Sequence, residues 1–176
     1  LSVVGTTVTV TTPFRRGYGT TYTGRWYENT ALRENISISG MNLVAAATGE
    51  DTIGIDAQYC RLLDVSGNTF DIEEGMAFQI YAQDAPRVVE NNIRRQFGRR
   101  SSFGACMDGL LNGNVFDCEG ATPTNGALSI EVGTSYSTIS NNMVRGGAGT
   151  SGLIFAQWAD YNRFLSNTLV GDGSVI

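Results

Sequence analysis

Six copies of a short phrase, apolar–x–x–Asn–x–apolar, punctuate the chain, with Ser39 and Arg94 each replacing one of its apolar ends. They are Ser39–Gly40–Met41–Asn42–Leu43–Val44, Val65–Ser66–Gly67–Asn68–Thr69–Phe70 and Val89–Glu90–Asn91–Asn92–Ile93–Arg94, followed by Leu111–Asn112–Gly113–Asn114–Val115–Phe116, Ile139–Ser140–Asn141–Asn142–Met143–Val144 and Phe164–Leu165–Ser166–Asn167–Thr168–Leu169. The Asn positions are separated by 26, 24, 22, 28 and 25 residues, and a mean near 25 is a solenoid period. About fourteen residues ahead of the Asn a second apolar alternation recurs, as in Phe78, Ile80 and Ala82 or Leu128, Ile130 and Val132. That is strand spacing, and no helical period intervenes. The pattern predicts an all-β chain: a right-handed parallel β-helix of six to seven rungs, with two or three short strands per rung and Gly or Asn at the corners.

A leucine-rich repeat shares the short phrase but also wants Leu five and eight residues before the Asn. Of the twelve positions concerned only one, Leu63, is Leu, which rejects that solenoid. At a tight corner Asn tolerates the left-handed backbone, and its amide can bond the Asn above and below. Rungs stack about 4.8 Å apart, so Asn42, Asn68, Asn92, Asn114, Asn142 and Asn167 are expected to form one structural ladder.

The Ile–x–Asn–Asn–x–apolar stretch at 139–144 resembles the rung signature of the pectin-lyase-like β-helix family, and the resemblance covers roughly residues 35–176. Within that family the Gly-, Asn-, Thr- and Ser-rich rungs, irregular rung length and acidic composition most resemble bacteriophage tailspikes and tail fibres. The resemblance implies recognition, and possible degradation, of a bacterial surface polysaccharide. It implies a homotrimer or other subunits of a larger assembly, in a virion tail or outside the cell. A polysaccharide lyase or glycoside hydrolase of the same fold, and a purely structural shaft, are the alternatives.

Composition narrows the chemistry. All twelve basic residues are Arg, with no Lys and no His, which removes the commonest general base, the commonest metal ligand and every Lys-based mechanism. It also argues against polygalacturonase-type members of the resembled family, whose sites use a His. No cofactor and no metal site are expected. The longest apolar run, Leu43 to Ala47, is five residues against the roughly 20 of a spanning helix, so no membrane insertion is expected.

The formal net charge of −5 is uneven. Residues 13–33 hold four Arg against one Glu, together with Phe14, Tyr18, Tyr22 and Trp26, whereas the rest of the chain has eight Arg against sixteen acids. An acidic body disfavours nucleic acid, and the basic segment reads as a packed loop. The expected organisation is therefore 1–33, an entry strand over residues 1–12 plus the Arg and aromatic loop, and 34–176, the repeat. A turn-rich insertion at 121–126 should protrude from a corner. Cys60, Cys106 and Cys118 are expected to be unpaired.

Stacking places residues in columns. Three after the Asn, Asp71, Arg95, Asp117 and Arg145 alternate in sign and suggest a surface ion column. Asp84 and Asp108 fall on adjacent rungs between the two strand runs, with no Arg at the equivalent place above or below. Their carboxyls are expected to face one groove at a separation of about 5–8 Å, a glycosidase-like pair. Tyr81, Trp158 and Tyr161 near that corner, with Glu131, are the candidate sugar contacts.

Overall fold

The computed structural model describes residues 2–4, 7–9, 33–45, 52–72, 75–94, 100–118, 127–131, 133–146, 154–156 and 158–171. The chain divides into two compact units, Leu1–Ala31 and Leu32–Ile176. In the first, Ser2–Val4 pairs antiparallel with Thr7–Thr9, Ser2 opposite Thr9. The Val/Thr alternation is thus a hairpin rather than one entry strand. The Arg and aromatic segment, apart from Arg33, and the 121–126 insertion lie outside the described residues.

The second unit is a parallel β-helix with no helix among its described residues. Its first sheet stacks Ile53–Gln58, Met76–Tyr81, Ser101–Gly104, Leu128–Glu131 and Ile154–Ala156. The second stacks Ser37–Ser39, Asp64–Ser66, Arg87–Val89, Leu110–Asn112, Thr138–Ser140 and Arg163–Leu165. The third stacks Asn42–Ala45, Thr69–Ile72, Asn92–Arg94, Val115–Cys118, Met143–Gly146 and Thr168–Val170. Among the described residues five rungs carry all three strands, against the six to seven rungs expected.

Each complete rung repeats one backbone frame. Left-handed residues fall at Tyr59, Leu62 and Gly67, then at Ala82, Ala85 and Glu90, Ala105, Asp108 and Gly113, Gly133, Tyr136 and Asn141, and Trp158, Tyr161 and Ser166. These bends at i, i+3 and i+8 turn the chain from the first sheet through a two-residue bridge to the second and then the third. Inward columns fill the core. Val65, Val88, Leu111 and Ile139 stack from the second sheet, and Phe70, Ile93, Phe116 and Val144 from the third, all fully buried. Phe78 meets Phe70 and Phe116 edge-on at 6.5 and 6.1 Å between ring centres, a preferred aromatic geometry.

The ladder exists, shifted by one residue in two rungs. Its members are Asn68, Asn91, Asn114, Asn142 and Asn167, the Nδ2 of each of the first four donating to the Oδ1 of the next at 2.9–3.0 Å. Each Nδ2 also donates to a core-strand carbonyl one rung back: Ile38, Val65, Val88, Leu111 and Ile139 in turn. Asn92 instead leads a third-sheet strand between Thr69 and Val115. Asn42 is exposed beside Thr69, and Met41 holds the ladder position, donating its N–H to the Asn68 Oδ1. The left-handed residue is the one before the ladder Asn, not the Asn itself.

The ion column survives with the same correction. Asp71 pairs in register with Arg94, not Arg95, then Asp117 and Arg145, and the Arg145–Asp117 contact is 3.8 Å. All three cysteines are free and buried.

Candidate functional site

The first sheet alternates like the others, and its outward residues build a concavity. Outward Gln58, Tyr81, Gly104 and Glu131 are in register across four strands, and Gln79 lies beside Ser102. Gln58, Met76, Gln79, Tyr81, Arg100, Ser102 and Glu131 line a cavity of about 430 Å³. Glycine at position 104 lets Tyr81 hold its place in the cleft. A Cβ on Gly104 would stand 2.8 Å from the Tyr81 ring and 3.3 Å from the Glu131 Cβ, so the missing side chain lets the ring lie against the backbone of the next rung.

Arg100 and Glu131 supply the charges that line the cleft, with Asp56 at its edge beside Gln79. Partial burial lowers the Arg100 pKa, and the Glu131 carboxylate opposes that shift. Gln58 donates through Nε2 to Asp56 Oδ1 at 3.1 Å. The lining therefore offers an aromatic face, two amides, a hydroxyl, one guanidinium and one carboxylate. Such a mixture can stack on a ring and bond hydroxyls in both directions. Among the described residues no group of His, Cys, Asp or Glu is arranged to hold a metal ion.

Of the residues singled out from the sequence, Tyr81 and Glu131 meet in this cleft. Trp158 and Tyr161 stand at the adjoining corner, 71% and 72% exposed. Asp84 and Asp108 do not occupy one column. Asp84 is in register with Arg61 below and Met107 above, whereas Asp108 is one residue past Met107, in the column of Leu62, Ala85, Tyr136 and Tyr161. Arg61 bonds Asp84 at 3.3 Å and Glu34 at 3.3 Å, so Asp84 has the Arg neighbour that the sequence reading denied it.

Gln58, Gln79 and Ser102 were not foreseen. Their only sequence signal was the polar half of the first-sheet alternation. Searches against protein families, curated proteins and solved structures find no match to this chain.

Proposed function

We propose that the β-helix is a carbohydrate-recognition domain of the tailspike kind that docks a bacterial surface polysaccharide on the outer face of its first sheet. The observation that carries this reading is the cleft in which the Tyr81 ring lies over Gly104 among Gln58, Gln79, Ser102, Arg100 and Glu131. Pockets for sugars need an apolar ring face beside converging donors and acceptors, and this lining supplies both. In such a protein the domain would work as a homotrimer or with other subunits, on a virion tail or outside the cell.

Binding is favoured over cleavage. A glycosidase needs two carboxyl groups flanking the scissile bond, yet among the described residues that line the cleft Glu131 is the one carboxylate, and Asp56 at its edge accepts from the Gln58 amide. Asp84 is engaged by Arg61 around the corner. The test is calorimetric titration of purified capsular and O-antigen polysaccharides, with chromatography of the recovered glycan. Binding that Tyr81→Ala weakens by roughly tenfold, with the glycan length unchanged, is expected. No binding, or a Tyr81→Ala variant that binds like the parent, would overturn the reading. Sedimentation of the same sample reports the assembly.

A further inference from the structure

The corner next to the cleft carries bulky aromatics where the backbone disfavours them. Trp158, Tyr161 and Tyr136 have φ of 49°, 57° and 54°, a region that suits Gly or Asn and is unusual for bulky side chains. The equivalent positions on other rungs hold Tyr59, Ala82, Ala105 and Gly133 in the column of Trp158, and Leu62, Ala85 and Asp108 in that of Tyr136 and Tyr161, so the frame accepts small residues and does not itself call for large ones. Tyr136 and Tyr161 stack face to face, 5.3 Å apart and 4° from parallel, yet Tyr136 remains 41% exposed. Strain held at exposed aromatic side chains points to a role in binding.

This ridge continues the cleft. Gly133, two residues after the cleft's Glu131, donates its N–H to the Trp158 carbonyl at 3.1 Å, which sets Trp158 one rung above the Glu131 end. Charge restricts what can lie along this path. Asp160 sits between Trp158 and Tyr161, and Asp108 precedes Tyr136 in the same column. Arg100 faces Glu131 in the cleft, and Arg61 is engaged by Glu34 and Asp84. Among the described residues the path therefore has no surplus of positive charge to meet an anionic chain.

We infer that the ligand is an uncharged polysaccharide lying along the solenoid axis, its rings resting first on Tyr81 in the cleft and then on the Trp158 and Tyr161 ridge. This rests on the proposed carbohydrate recognition and adds the ligand's charge class and a second contact. The same argument yields an unusual test variant. At φ 49° Asn fits better than Trp, so Trp158→Asn should keep or raise the melting temperature while removing the stacking surface.

The experiment titrates the intact chain with neutral glycans (dextran, mannan and neutral O-antigens) and with alginate, polygalacturonate and uronate-containing capsules, following tryptophan fluorescence and calorimetry. Expected are binding confined to neutral glycans, little change between low and high salt, a fluorescence change absent from Trp158→Asn, and roughly tenfold weaker binding by Trp158→Asn and Tyr161→Ala. Preference for the acidic glycans, or neutral binding that needs Tyr81 but is indifferent to Trp158 and Tyr161, overturns this inference and leaves carbohydrate recognition standing. Failure of every glycan to bind overturns both.

Discussion

Replacing Asn114 with Leu removes the most heavily bonded member of the ladder. Its Oδ1 accepts from the Asn91 N–H at 3.0 Å and the Asn91 Nδ2 at 2.9 Å. Its Nδ2 donates to the Val88 carbonyl, the Asn112 carbonyl and the Asn142 Oδ1, and the residue is fully buried. Leu leaves the buried Asn91 N–H without this acceptor and strips the Val88 carbonyl of this donor. Stranding a buried polar group costs about 1–3 kcal/mol, and forcing a branched apolar group into the site adds about 1–3 kcal/mol. A loss of about 2–6 kcal/mol follows, which for a chain of this size lowers the melting temperature by roughly 4–24 °C. Asn42→Leu is the control, because Asn42 is exposed and off the ladder and should change stability by no more than about 0.5 kcal/mol. Equal melting temperatures for Asn114→Leu and Asn42→Leu would refute the ladder register.

Met41→Asn should extend the ladder by one member, adding an Nδ2 donor opposite the Asn68 Oδ1. The expected gain is about 0.5–1.5 kcal/mol in urea unfolding, and a loss would mean that Met41 does not occupy the ladder position. Gly104→Val should drive the Tyr81 ring out of the cleft and abolish glycan binding while circular dichroism stays that of the parent; unchanged affinity would show that the ring position is irrelevant. Burial pushes the Cys106 thiol up to about 12 from 9.0, against a smaller opposing contribution from the Gln83 backbone hydrogen bond. Being raised in the folded state, this pKa leaves stability intact below about pH 9. The contribution is then lost as pH rises toward 12, at up to about 1.4 kcal/mol per pH unit. Cys106→Ala should flatten that part of the pH profile, and identical profiles for the two proteins would contradict the burial argument.

The fold was legible because a solenoid writes its period into the chain. Core columns such as Val65–Val88–Leu111–Ile139 and ladder members Asn68, Asn114, Asn142 and Asn167 recur at fixed places in each rung. The doublets Met41–Asn42 and Asn91–Asn92 obscured the register, because either residue satisfies a polar–apolar alternation. What fixes the ladder residue is the left-handed neighbour before it, Gly40 or Glu90. The one-residue ambiguity extends to the columns. Counted from Asn92, Asp84 stands alone at eight residues before; counted from Asn91, Arg61, Asp84, Met107, Ser135 and Asp160 all fall seven before their ladder Asn. That shared offset would have revealed the Arg61–Asp84 pair. The cleft was less legible. Outward polar residues look alike on all three sheets, and the close approach of Tyr81 to Gly104 and the electrostatic influence of Glu131 on Arg100 distinguish this face.

Hydrogen exchange with and without a bound neutral polysaccharide tests the central claim, recognition on the first-sheet face, most directly. The account predicts slowed exchange in peptides covering 76–81, 101–104, 128–131 and 158–161, with 87–89, 110–112 and 138–140 on the second sheet unchanged. Protection confined to the second or third sheet, with the first-sheet strands exchanging as in the free protein, would contradict it.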